Sequence, residues 1–300
     1  MNILILGGSG TLSSRIAQLA LEKGHQVWAV TRGMRALPEG VHPLTADRNK
    51  MDEMEKALAA APATWDGVID SICFTADQAR ADIALFAGKA KQLVMISTDS
   101  VYHPDFKQVP QDESNEHYLT DDTYGANKRR AEEVFLAHGD QLPYTIFRPG
   151  HIYGPGFQLG CYPDHTRQKD LLAHMRAEKP IVLAGGGEFI IHPIYVDDLA
   201  RCAVEALGNP NAFNQVFCIG GGDSMPNHAY FTTIGQLIGH PVTIQARPLS
   251  DYADRPDYSG HLCQRCYNMD KLVKAGLPLP RTTLREGLKK QIAWLDQQAE

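Results

Sequence analysis

Tyr124 and Lys128 stand four positions apart in a stretch with helical spacing, and far upstream the first apolar run, Ile3-Leu4-Ile5-Leu6, breaks into Gly7-Gly8-Ser9-Gly10. Residues at i and i+4 share a helix face. A phenol ionises near pH ~10 and is a poor base at neutrality, so an ammonium beside it is expected to favour the phenolate. A shift of about three units corresponds to roughly 4 kcal/mol. A glycine-rich turn between a strand and a helix offers a different chemistry. It lets the backbone approach a pyrophosphate, whose charge meets the free amides at the helix start. The two features together point to an enzyme that uses a nicotinamide dinucleotide.

Gly7, Gly10 and Ser13 follow the spacing G-x-x-G-x-x-G, with a serine small enough to keep strand and helix close. Thr11 and Leu12 complete the expected phosphate-facing turn. An ordinary glycine-rich βα turn is the plainer reading of the same residues. After the second strand come Thr31, Arg32 and Arg35, with no carboxylate until Glu39. An acidic residue there would bind the ribose hydroxyls of NAD and repel a 2′-phosphate, whereas a guanidinium pairs with that phosphate in a fork. NADP is favoured, with NAD left open. Asp47 either accepts a bond from the adenine amino group or caps the helix that follows.

Short apolar runs alternate with amphipathic stretches, the pattern of βαβ units on a parallel sheet. Strands are expected at 3–6, 26–30, 41–45, 67–70, 93–96 and 145–147, and helices at 12–23, 51–60, 78–88 and 124–138. The fold class is therefore α/β, a doubly wound parallel sheet of the Rossmann kind with a smaller C-terminal α+β lobe. Residues 1–150 form the dinucleotide-binding domain, with 194–220 returning to it. Residues 151–193 and 221–300 form the substrate lobe, with helices at 168–178, 196–207, 227–238 and 284–295.

Three hundred residues with 43% hydrophobic content can bury a large core. A formal charge of −6, with both signs interspersed, gives no footprint for nucleic acid or an anionic membrane. No stretch approaches the ~20 apolar residues of a membrane helix, and the first apolar run is too short for a signal peptide, so a cytoplasmic location is expected. The six cysteines are scattered, as for reduced thiols. Cys263 and Cys266 form a single CxxC with His261 nearby, which lacks the second pair of ligands a zinc site needs, and no metal is expected.

Five motifs occur in order: the glycine loop, Ser97-Thr98-Asp99-Ser100-Val101-Tyr102, Tyr124-Gly125-Ala126-Asn127-Lys128, Arg148-Pro149-Gly150-His151-Ile152-Tyr153-Gly154-Pro155 and Tyr195-Val196-Asp197-Asp198-Leu199-Ala200. With them the chain resembles the extended short-chain dehydrogenase/reductase superfamily, the NAD-dependent epimerase/dehydratase group, from Met1 to about Leu295. The resemblance implies that Thr98 hydrogen-bonds the reacting oxygen, Tyr124 is the general acid/base, and Lys128 lowers the tyrosine pKa and holds the nicotinamide ribose. The Thr-Asp-Glu of sugar-nucleotide dehydratases is here Thr98-Asp99-Ser100, which disfavours elimination. The asparagine and arginine that hold a nucleotide diphosphate in many relatives are replaced by Gly150 or His151 and by Ile191. A smaller substrate is expected, with Asp99, His151, Tyr153, Tyr162, His165, His192, Arg255 and Arg265 as pocket candidates.

The leading expectation is an NADP-dependent oxidoreductase interconverting a ketone and a secondary alcohol of a small metabolite, as a monomer or homodimer with no nucleic-acid or membrane partner. An epimerase is the nearest alternative. A non-catalytic dinucleotide sensor or RNA-binding relative is the other, and the retained Tyr124 and Lys128 argue against it.

Overall fold

The computed structural model describes residues 1–254 and 260–299. Four-residue runs such as Leu93–Ile96, buried at every position, cannot be half-solvated strands; they fit only a sheet covered on both faces. Strands β1 (Asn2–Leu6), β2 (Gln26–Thr31), β3 (His42–Thr45), β4 (Gly67–Asp70), β5 (Leu93–Ile96) and β6 (Tyr144–Pro149) are joined by a seventh, Gln215–Ile219. In space the order is Gln215–Ile219, β6, β5, β4, β1, β2, β3, all parallel. The order reverses between β1 and β4, which opens a ligand crevice at the carboxyl ends of the strands. The doubly wound sheet is thus as the sequence implied. The seventh strand was not foreseen, because its run Gln-Val-Phe-Cys-Ile is short and its first two residues are only half-buried.

Helices α1 (Thr11–Glu22) and Val196–Glu205 cover one face, and α3 (Ala76–Phe86) and α4 (Tyr124–Ala137) the other, with α2 (Met51–Leu58) beyond β3. The smaller lobe pairs Ile181–Ala184 with Ile244–Arg247 and Ile190–Ile191 with Met225–Pro226, beside helices Leu171–Arg176, Asn227–Ile238 and Leu284–Ala299. The helix expected over 168–178 is shorter because 165–168 forms a turn, Gln168 N–H donating to the His165 carbonyl at 3.1 Å. Among the described residues no helix is long and apolar enough to cross a membrane.

Helix α4 is fixed to the sheet by charge. Glu132, fully buried, accepts hydrogen bonds from Ser97 Oγ at 2.5 Å, Arg148 Nε at 3.1 Å and an Arg148 terminal nitrogen at 2.6 Å. The other terminal nitrogen of Arg148 donates to the Tyr102 hydroxyl at 2.6 Å. This network joins α4 to the ends of β5 and β6 and to the turn that follows β5. The backbones approach closely as well, since a Cβ on Gly125 would lie 1.9 Å from the Ser100 carbonyl oxygen. Glu132→Ala would leave Arg148 buried without its carboxylate, a loss of about 3–5 kcal/mol. Urea unfolding monitored by circular dichroism checks this, and a loss below about 1 kcal/mol contradicts the role given to the pair.

Candidate functional site

At the cofactor end of the crevice β1 runs into Gly7 and Gly8, with φ of 113° and 95°, a region that side chains avoid. A Cβ on Gly8 would sit 2.6 Å from that of Ala29 on β2. Gly10 caps α1, and its N–H donates to the buried Ser13 hydroxyl at 3.1 Å. Leu12 is buried in the core, so only its main chain can face a ligand. Thr11 Oγ1 donates to the Gly156 carbonyl at 3.2 Å, which draws the 154–156 loop over the glycine turn. The amides of Thr11 and Leu12 open the helix and have no acceptor within it. Positive-φ glycines and unclaimed helix amides are what a dinucleotide pyrophosphate requires, and the cradle fits that group.

Beyond β2 the Thr31 hydroxyl accepts from Gly33 N–H at 3.1 Å. Arg32 and Arg35 are exposed, and among the described residues neither forms an ion pair. Arg35 lines a shallow depression with Thr31, Gly33, Pro38, Pro43 and Thr45. Asp47 Oδ1 accepts from Asn49 N–H at 3.0 Å in a turn ahead of α2, whose N-cap is Lys50, so Asp47 does not cap that helix. Its neighbour carries the larger surprise. Arg48 enters the interior and donates to Asp70 at 2.6 Å and Asp82 at 3.0 Å, so its guanidinium supplies the cation for a buried group of Asp70, Cys73 and Asp82.

At the reacting end, Thr98 follows β5 and its Oγ1 accepts from Ser100 N–H at 3.2 Å, which aims the hydroxyl toward the start of α4. Thr123 caps that helix, its hydroxyl accepting from Ala126 N–H, so Tyr124 is the first helical residue. The Tyr124 hydroxyl lies close enough to Thr98 for that hydroxyl to favour its ionised form slightly. The residue is 54% exposed, yet desolvation and then the Asp99 carboxylate push the phenol up to about 12. Lys128, one turn further, is buried and donates to the carbonyls of Cys73 and Ile96 at 2.7 Å each. Burial lowers its pKa to about 8. The lowered tyrosine expected from the i, i+4 spacing is therefore not found in the cofactor-free protein. The two side chains share a helix but face different surroundings, and the ammonium is turned to the strand ends.

Four of the pocket candidates form one cluster, which reaches Tyr124 through Asp99 and Tyr162. Asp99, buried, is paired with Lys107 and with Arg265 Nε at 2.9 Å, and these cations hold its carboxyl far below the usual range. Asp99 is thus engaged by the protein rather than presented to a substrate. Arg265 lies 5.4 Å from the centre of the Tyr162 ring, which stacks on His261 at 4.1 Å. His151 meets the edge of Tyr162 at 5.5 Å. Three other candidates are occupied elsewhere. Tyr153 donates to the Thr283 carbonyl at 3.3 Å and packs against Tyr195 in the core. His192 contacts the Gly221 carbonyl at 3.0 Å and stacks on Tyr267, and His165 holds the Val182 carbonyl at 2.9 Å. All three anchor loops. Arg255 lies outside the described residues. Lys107 went unnoticed in the sequence, and His261 was weighed only beside the CxxC, because each sits in a loop with no periodicity to place it.

With this geometry the chain compares as follows. Residues 77–220 match the model of the NAD dependent epimerase/dehydratase family. Over that segment the chain is similar to a family of nicotinamide-dependent epimerases and dehydratases. It is 25% identical over 283 residues to the 2′-dehydrokanamycin reductase of Streptomyces kanamyceticus, covering 92% of this chain and 78% of the reductase. It is 26% identical over 234 residues to the chloroplast stem-loop binding protein of 41 kDa b of Arabidopsis thaliana, covering 73% of this chain and 58% of that protein. The UDP-glucose 4-epimerase of Thermotoga maritima superposes with a TM-score of 0.80 at 20% identity over the whole of both chains. At that identity the likeness is one of fold.

The buried lysine makes a measurable prediction. With carbon-13 at the lysine ε position, the Lys128 resonance should titrate near pH 8 in the cofactor-free protein, while exposed lysines titrate near ~10.4. Titration of every lysine above pH 10 would contradict the burial of its charge. Because the pKa falls on folding, stability should rise with pH between about 8 and the unfolded value, where the unfolded chain binds the extra proton.

Proposed function

We propose that the protein is an NADP-dependent reductase that converts a ketone of a small metabolite to a secondary alcohol. The feature that carries this reading is the Tyr124 phenol at the start of α4 near Thr98, where desolvation and the Asp99 carboxylate favour its protonated form. Reduction needs a proton donor in its resting state. An epimerase begins by removing a proton from a carbinol and needs a phenolate, which the desolvated pocket disfavours.

Gly7, Gly8, Gly10 and the first amides of α1 would hold NADPH, which would supply the hydride for the carbonyl carbon. The Thr98 and Tyr124 hydroxyls bracket the carbonyl oxygen, and as negative charge grows there the Tyr124 O–H bond breaks and its proton passes to the oxygen. Lys128 has three N–H groups and donates two of them to carbonyls, so one remains for a ribose hydroxyl of the cofactor. Arg32 and Arg35 pair with the 2′-phosphate. General acid catalysis of this kind contributes about 10²- to 10⁴-fold, with orientation adding the rest. The likeness to the chloroplast stem-loop binding protein favours a second, non-catalytic reading. A net charge of −6 and the retained Thr98, Tyr124 and Lys128 weigh against it.

Screening ketones with NADPH at 340 nm identifies the reaction, and Tyr124→Phe should then lose roughly 10²- to 10⁴-fold in turnover with NADPH affinity within about threefold of wild type. Undiminished turnover sinks the reading. Replacing Arg32 and Arg35 together by alanine should cut the preference for NADPH over NADH by about tenfold or more, since charge-assisted pairs to the phosphate are lost. An unaltered preference would move cofactor choice elsewhere.

A further inference from the structure

We propose that the substrate carries a compact anionic oxygen group, a carboxylate or a phosphate, which docks on Lys107 and Arg265 beside Tyr124. The inference rests on the reductase reading and adds the substrate's charge to it. Its origin is an imbalance in a buried cluster. The side chains of Lys107, Asp99 and Arg265 are 2%, 3% and 2% exposed, and the single carboxylate serves both cations. Among the described residues no second carboxylate forms an ion pair with either. A buried net positive charge is costly unless an anion offsets it.

The hydrogen-bond inventory points the same way. An ammonium has three donors, and among the described residues Lys107 meets only Asp99. Arg265 gives its terminal nitrogens to the carbonyls of His261 at 3.0 Å and Gly260 at 2.8 Å, which fixes its fork in place. His151 Nε2, on a residue only 7% exposed, has no partner among the described residues, and Arg265 and His261 are its titratable neighbours. Burial first, and Arg265 next, lower both histidines to about 4, so at neutral pH each offers a neutral ring rather than a further cation. The Tyr124 hydroxyl feels the same Asp99 carboxylate, which places the cluster at the reacting end of the crevice.

The two cations arrive from separate parts of the chain. Lys107 lies on the loop between β5 and α4, and Arg265 on the smaller lobe. Gln111 joins the segments, donating its N–H to the Cys266 carbonyl at 2.6 Å and accepting from Asn268 N–H at 2.9 Å. The net charge is therefore held in a preorganised site, and a substrate anion meets little ordering cost there.

The test uses the full chain and two matched pairs of ketones, levulinate against methyl levulinate and dihydroxyacetone phosphate against dihydroxyacetone, titrated into the NADPH complex with cofactor fluorescence and NADPH oxidation as readouts. The charged member of at least one pair should bind about tenfold or more tightly than its neutral twin, and the pair that responds separates carboxylate from phosphate. Lys107→Met should erase the preference, Lys107→Arg should restore it, and NADPH affinity should stay unchanged in both. Equal or tighter binding of both neutral members, no binding by any member, or a preference that survives Lys107→Met overturns the proposal. If NADPH itself does not bind, the reductase reading fails. The anion preference is then read from thermal stabilisation by the same four compounds, so the two failures stay distinct.

Discussion

A buried ammonium holds this site together. Lys128 reaches from α4 to the carbonyls of Cys73 and Ile96, just past β4 and at the end of β5, on the open side of the crevice. An ammonium out of water needs partners, and two main-chain acceptors at fixed strand ends leave the helix little freedom. Because Tyr124 is one turn before Lys128, the same bonds set where the phenol meets Thr98. The Glu132–Arg148 pair, one turn later, fixes the other end of that face.

The charges around this clasp alternate in sign along the strand ends. Arg48 lies between Asp70 and Asp82, Lys128 follows, and then Glu132 faces Arg148. Burial and the Asp70 carboxylate push the Asp82 carboxyl upward, while the same two acids raise the Arg48 guanidinium. These groups build the floor under the site, and breaking one partner of such a pair costs far more than the pair contributes, since the survivor is left charged and buried. The Tyr124 phenol sits above this floor, and desolvation with the Asp99 carboxylate keeps it an acid.

The sheet was legible because parallel strands buried on both faces read as apolar runs, and the residue ranges 67–70 and 93–96 coincide with β4 and β5. The glycine turn and the Tyr124/Lys128 spacing were legible because each motif is local in sequence. What spacing does not carry is the direction of a side chain once tertiary contacts compete for it. Lys128 faces carbonyls 55 and 32 positions away, and no helix pattern specifies those. His192 and Tyr153 looked like pocket residues because polar aromatics in loops often are, yet each completes a main-chain bond of its own lobe. Lys107 was invisible for the opposite reason. A lysine in a polar loop reads as solvated until the fold brings Asp99 to it.

The central claim is that burial keeps the Tyr124 phenol protonated while the charge of Lys128 is directed to the strand ends. Ultraviolet difference titration of the cofactor-free protein against Tyr124→Phe measures this directly. The account predicts no phenolate signal from Tyr124 below pH ~10, consistent with a phenol pushed up to about 12. A phenolate band near neutral pH that vanishes in the phenylalanine variant would contradict it.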